Sequence, residues 1–462
     1  LYLDVVRPAG YDNQSLPVLV WIYGGAFISG GTSDRRYNMS YIVKNSVDIG
    51  KPIIGISISY RVGPWGFLNS NELMGIGQTN IGLRDQRLAL HWIQENIAAF
   101  GGDRSKVTIW GQSAGSESVG FHLTAYNGRD DKLFRAAVMQ SGSPVAHNPL
   151  NGTDAYQPRY DAIVKAVGCE NTTNSLDCLR KVPFKKLDAI FNTTEFESDW
   201  VPTLDGDFNA RFGSEQLKDG SFVHVPVIAG TTSDEGTFFS PTGVETTANF
   251  VSYLNTTSLY QIAIPKQLIE DILEEYPANS TTIESPSSQV LGGNVVFKST
   301  YGAQYRRVAA YFGDQVFIAS RRLTCQTWSK ENVTAYCYRF NTITAGTAWE
   351  MGVTHYTDVA YFFNNLEGRG FAVNPFQDMP EEYISLSYLM SNSLVSFTHD
   401  LNPNNWTGLG RNDTQTLEWP VYDSKNPMNM VWDANVSSYA ESDTWRAKPI
   451  ELINQNAFAY QR

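Results

Sequence analysis

Six apolar, β-branched runs punctuate the chain: LPVLVWIYGG (16–25), KPIIGISISYRV (51–62), KVTIWGQS (106–113), FRAAVMQSG (134–142), VPVIAGTTSDEG (225–236) and TAYCYRF (334–340). Their near-continuous hydrophobicity predicts strands buried on both faces, hence a largely parallel sheet. LYLDVVRP, at the start, reads as a further strand already in progress. Between the runs, polar and apolar positions alternate at helical spacing. In GLRDQRLALHWIQENIAAFGGD (82–103) the apolar positions Leu88, Trp92 and Ile93 predict an amphipathic helix, which the Gly-Gly pair closes. Strand and helix alternate, so the predicted class is α/β. Residues 151–222 and 246–330 are polar and helix-like. They are read as insertions that cap the sheet within one domain spanning residues 1–462.

The third run ends in Gly-Gln-Ser-Ala-Gly, with Ser113 at the joint between an apolar strand and a small-residue-rich helix. That arrangement forces a serine into a strained turn, where side chains at the flanking glycines would collide with the neighbouring strand and helix. The strain holds the hydroxyl outward at the carboxyl end of the sheet, as a nucleophile requires. A serine hydroxyl attacks only when a base removes its proton. With this elbow the acid and then the histidine follow the serine in the chain. The order removes His91 and disfavours His122 and His147, which precede any suitable acid. His224 stands just before the VPVIAG run, and His399 closes a helical run where its charge suits the helix C-terminus. His355 remains, in the glycine-punctuated loop AGTAWEMGVTHYTDVAYFF (345–363). For the acid, Asp234 and Glu235 both follow a buried strand directly, and spacing alone does not choose between them. The developing oxyanion needs backbone donors. VLVWIYGGAFISGG supplies them after another strand, through the amides of Gly25 and Ala26 with that of Ala114.

Composition narrows the class further. Hydrophobic residues make up 42% of the 462 residues and charged residues 18%, which favours a compact globule over disorder. The net charge of −12, with Lys and Arg scattered, argues against nucleic acid or an anionic membrane as partner. No apolar stretch approaches the ~20 residues of a membrane span; Tyr383–Phe397 comes closest and is rich in serine and asparagine. Asn-X-Ser/Thr occurs at Asn13, Asn38, Asn151, Asn171, Asn192, Asn255, Asn279, Asn332, Asn405, Asn412 and Asn435. This density predicts a secreted chain carrying N-linked glycans. The cysteines fall as two close pairs, Cys169 with Cys178 and Cys325 with Cys337, which suits disulfides in an oxidising compartment. Neither pair has metal-ligand spacing, and no metal or cofactor is expected. Because the chain opens on Leu1 within a strand, a segment preceding it is expected.

WIYGGAF, ISYRVGPWGFL, NIGLRDQRLALHWIQENIAAFGGD, VTIWGQSAGS, FRAAVMQSGSP, GTTSDEGTFF and GVTHYTDVAYFF together resemble the type-B carboxylesterase family, which includes cholinesterases and fungal secreted lipases. The resemblance runs nearly end to end and implies an α/β-hydrolase fold and cofactor-free hydrolysis of small-molecule carboxylic esters through an acyl-enzyme. It places the family's serine, glutamate and histidine on Ser113, Glu235 and His355, and its oxyanion amides on Gly25, Ala26 and Ala114. It also implies a supporting role beside the acid for Ser141, and a small internal disulfide at Cys169–Cys178. Gln112 stands where the family usually has glutamate, which argues against choline esters as substrates. The family's first disulfide loop would lie before Leu1. Short-acyl esterase and triacylglycerol lipase both remain open here, as does a non-catalytic binding or adhesion module on the same fold.

Overall fold

Every run named above becomes a strand, because a segment without polar breaks satisfies its backbone in a ladder and hides both faces under helices. The computed structural model describes residues 1–197, 200–257, 261–278, 299–411 and 417–462. Its strands are β1 (Leu3–Val6), β2 (Leu16–Ile22), β3 (Ile54–Ile58), β4 (Gly102–Gln112), β5 (Ala136–Gln140), β6 (Val227–Thr232), β7 (Ala335–Phe340), β8 (Met428–Trp432) and β9 (Tyr439–Ser442). They form one nine-stranded sheet in the order β1-β3-β2-β4-β5-β6-β7-β8-β9. Strands β2 to β8 run parallel, and only β1 and β9 are antiparallel to their neighbours. All residues of β2, β3, β5, β6 and β7 are buried. Each large apolar side chain so buried contributes roughly 1.5–3 kcal/mol. The register Trp21–Trp110–Val138–Ile228 runs straight across β2, β4, β5 and β6. The carboxyl ends of these strands therefore emerge side by side, the place where open α/β sheets hold ligands.

Two details differ from the hydrophobic pattern. The predicted helix is present at Ile81–Asn96 and ends beyond a short 3₁₀ turn at Gly101. Its buried face, however, is not the one Leu88 marks, for Leu88 is 60% exposed. Leu83, Leu90 and Ile93 turn inward together with Asp85, Gln86 and Arg87. Those polar groups tolerate burial because each is paired. Asp85 takes a bidentate bond from Arg61, Gln86 donates to Ser118 at 3.0 Å, and Arg87 binds Asp131. The last two strands carry no clear apolar signal. Asn429 interrupts β8 and is buried because it accepts from Arg321 at 3.1 Å, while β9 is an exposed edge.

After β5 the chain forms the helices Thr153–Val167, Ser175–Leu179, Phe184–Phe191 and Gly213–Asp219. After β6 it forms Thr247–Leu254, Lys266–Glu275 and Tyr305–Gly313. With Ala447–Gln455 these build a second apolar cluster, including Phe250, Ile269, Tyr305, Tyr311 and Ile453, apart from the sheet's core. The helix Ala319–Lys330, in contrast, packs on β6 and β7 as the crossover between them. Cys325–Cys337 ties that helix to β7, and Cys169–Cys178 closes a small loop in the preceding helical region. Among the described residues no helix is long and apolar enough to cross a membrane.

Candidate active site

Ser113 sits between β4 and the elbow helix Ala114–Gly128 at φ 57°, ψ −129°. A non-glycine residue held there costs roughly 1–3 kcal/mol, which surrounding bonds must offset. The Ser113 N–H donates to Gln140 O on β5, and its carbonyl accepts from Glu117 N, both at 2.9 Å. The flanking glycines have no room for a side chain. A Cβ on Gly111 would lie 2.2 Å from Gly115 O, and one on Gly115 would lie 2.1 Å from Ile22 O of β2. The serine is thus pressed out where the helix begins.

Glu235 and His355 meet. Nδ1 of His355 lies 2.6 Å from Oε2 of Glu235, whose other oxygen accepts from Ser141 Oγ at 2.5 Å and from Thr232 N at 2.8 Å. Glu235 is fully buried and His355 nearly so. Asp234 faces elsewhere, accepting from Val353 N at 2.8 Å, so it braces its own loop against the loop that carries His355. Ser141 therefore holds the carboxylate that holds the imidazole.

The far side of the imidazole is engaged as well. Nε2 of His355 lies 3.1 Å from the side-chain amide nitrogen of Gln112, not against Ser113. Phe317 stacks on the ring at 5.0 Å and 10°, while Phe239 meets it edge-on at 5.0 Å. Such walls exclude water and raise the worth of every charge interaction inside. Across the site, the amides of Gly25, Ala26 and Ala114 have no hydrogen-bonding partner among the described residues. Ala26 and Phe27 both adopt left-handed conformations, with φ of 55° and 62°. The Gly25 carbonyl accepts from the Ile28 and Ser29 amides at 3.0 Å and pins the loop.

Asp358 escaped the reading of the sequence, where it is one acid among many. It is fully buried, and its Oδ2 accepts from Tyr338 Oη at 2.8 Å and Gln140 Nε2 at 3.2 Å. Burial, aided by the charge of Glu235, raises its pKa from 3.8 to about 6. A carboxyl whose pKa is higher folded than unfolded adds stability below the unfolded value, and loses it as pH rises through the folded value. Asp358→Asn removes this titration. Its stability relative to the parent should therefore rise between pH 4 and pH 7.5, by on the order of 3 kcal/mol. Any cost of the amide at Oδ1, which has no partner among the described residues, is the same at both pH values and cancels. Urea unfolding of both proteins at the two pH values measures this; an unchanged difference would refute it.

The other histidines lie away from this pair. His91 is exposed, and His224 contacts the Gly220 carbonyl at the surface. His399 contacts Asp400 at the end of the helix Glu381–Asp400. His122 is fully buried against Gln86, and burial holds its pKa well below the usual histidine value. His147 pairs with Glu117, at 2.7 Å between Nδ1 and Oε2. Neither Glu117 nor the aromatic walls had a signal in the sequence beyond their hydrophobic surroundings.

A strained serine at a strand–helix elbow, beside a buried glutamate–histidine pair, is joined by agreement along the whole chain. Residues 1–446 match the model of the carboxylesterase family. The chain belongs to that family. It is a carboxylic ester hydrolase of α/β-hydrolase fold. It is 34% identical over 471 residues to secreted lipase 1 of Botryotinia fuckeliana, covering 99% of this chain and 76% of that one. It is 32% identical over 478 residues to lipase 4 of Diutina rugosa, covering 100% and 79%. The crystal structure of Aspergillus niger EstA superposes with a TM-score of 0.83 at 23% identity, covering 100% of this chain and 84% of that chain. At that identity the likeness carries the fold.

Proposed function

We propose that this carboxylesterase-family chain is a secreted serine esterase in which Ser113, His355 and Glu235 form the catalytic triad. The carrying observation is the 2.6 Å contact between Glu235 Oε2 and His355 Nδ1, beside a serine on a strained elbow. The buried carboxylate keeps the proton on Nδ1 and leaves Nε2 unprotonated, as a base. In the resting enzyme the Gln112 amide donates to Nε2. On substrate binding, the Ser113 hydroxyl takes that place. Ser113 Oγ attacks the ester carbonyl as its proton passes to Nε2, and Glu235 stabilises the imidazolium. The amides of Gly25, Ala26 and Ala114 receive the oxyanion. The alcohol leaves with the proton from Nε2, and water, deprotonated in turn by His355, releases the acid and restores the serine.

A cavity of about 300 Å³ adjoins the anion loop, with Ala26, Phe239, Leu254, Ile264 and Val316 in its wall. Its apolar lining and size suit one arm of a small ester. The helical segment after β6 shapes it through Leu254, Ile264, Tyr311 and Val316, and the chain works as one catalytic unit. Secretion is supported by relatives named as secreted lipases and by the asparagine triplets. The described triplet asparagines are exposed except the half-buried Asn151, while Asn279 and Asn412 fall outside the described residues. A fluorophosphonate probe should label the native protein stoichiometrically at Ser113, as peptide mapping would show. A native protein that stays unlabelled would sink the assignment.

A further inference from the structure

The cavity beside the anion loop has an ionisable group in its wall that the proposed triad chemistry does not use. His147 lines it, and no Asp, Glu, Lys or Arg does so among the described residues. The imidazole is held from behind. Glu117, only 2% exposed, accepts the His147 backbone N–H on Oε1 at 2.7 Å and places Oε2 2.7 Å from the ring's Nδ1. Nδ1 and Oε2 are buried against each other at this close approach, without the alignment of a hydrogen bond, and among the described residues no hydrogen bond engages Nε2. Phe317 and Phe239 each lie against both this imidazole and that of His355. Glu117 lies one helical turn beyond Ser113, roughly 6 Å along the elbow helix. A second glutamate–histidine contact thus stands apart from the first, with its histidine in the cavity wall.

Resting on the esterase reading, we propose that His147 Nε2, positioned by Glu117, binds a hydroxyl group carried by the ester a few bonds from the reacting carbonyl. The chemistry of the wall selects a hydroxyl. An anion there would meet the buried Glu117 carboxylate, and a cation would compete with His147 for it. A hydroxyl both donates and accepts, so it pairs with Nε2 in either protonation state. The remaining hydroxyls nearby, those of Tyr311 and Tyr460, bond each other at 3.2 Å. Asn148, Gln261 and Gln315 also line the cavity, but the amide nitrogens of Gln261 and Gln315 already donate to the carbonyls of Tyr253 and His147. A hydroxylated arm therefore gains His147 Nε2 as a partner, whereas a plain arm leaves that ring nitrogen unpaired.

The test compares matched esters and reads a ratio. In one arm, p-nitrophenyl alkanoates are set against analogues with a hydroxyl moved along the acyl chain. In the other, alkyl butyrates are set against diol monobutyrates. The proposal expects one arm to show a hydroxyl position at which kcat/KM exceeds that of the plain ester by about tenfold, the size of one hydrogen bond. His147→Phe should bring that ratio to about one. His147→Gln, which keeps a polar atom toward the cavity, should retain part of it. Glu117→Gln, which can still accept the His147 backbone N–H, should reduce it by freeing the ring. A flat series in both arms, or a ratio that survives His147→Phe, overturns the proposal. Hydrolysis of the plain esters with fluorophosphonate labelling reports the esterase reading separately, so the two can fail independently.

Discussion

Replacing Ser113 with alanine should lower kcat on a p-nitrophenyl ester by about a millionfold, the scale on which loss of a triad nucleophile is felt. The change deletes one oxygen and nothing else. Alanine keeps the Cβ that already stands in the strained turn, and the backbone bonds to Gln140 and from Glu117 do not involve the side chain. The variant should therefore unfold at the parent's temperature while failing to turn over. What rate remains comes from the anion loop and binding alone. A Ser113→Ala protein that hydrolyses the ester within tenfold of the parent would remove Ser113 from the reaction.

Glu235→Gln should cost about ten-thousandfold in kcat, by a different route. The glutamine Oε1 can still accept from Ser141 and Thr232, so the side chain keeps its seat. Its amide nitrogen then directs an N–H at Nδ1 of His355. Nδ1 must accept, the ring proton moves to Nε2, and the base that Ser113 needs is gone. Asp234→Asn touches none of this. It weakens the bond from Val353 N that joins two loops, so it should lower stability by about 1 kcal/mol and leave kcat within a fewfold. Measuring both variants on one substrate and by urea unfolding separates the roles. Turnover lost in Asp234→Asn but kept in Glu235→Gln would move the acid by one residue.

These two carboxylates mark the boundary of what the sequence made legible. Adjacent acids after a buried strand are equivalent on spacing, and only the turn that sends one toward His355 and the other toward Val353 distinguishes them. The elbow was legible because its steric demand is local: Gly111, Ser113 and Gly115 fall within five positions. The strands from β2 to β7 were legible because apolar runs can bury two faces. Where burial rests on pairing, the signal reverses. Gln86 and Arg87 are buried and Leu88 is exposed, because their partners Ser118 and Asp131 come from distant segments. Asn429 hides β8 for the same reason. Glu117, His147 and Asp358 share that character: each is an isolated polar letter until folding supplies its companion.

The groups of the site are contributed one strand at a time: Gly25 after β2, Ser113 after β4, Ser141 after β5, Glu235 after β6 and His355 beyond β7. Parallel strands joined by long crossovers pair late and slowly, because chain entropy is lost before the contacts reward it. On the proposed assignment, a growing or half-folded chain consequently carries a serine with no base, an acid with no histidine and an anion loop with nothing to face. With the proposed triad, ester cleavage becomes possible only once β2 to β7 have come together, and no armed nucleophile exists on the chain before then.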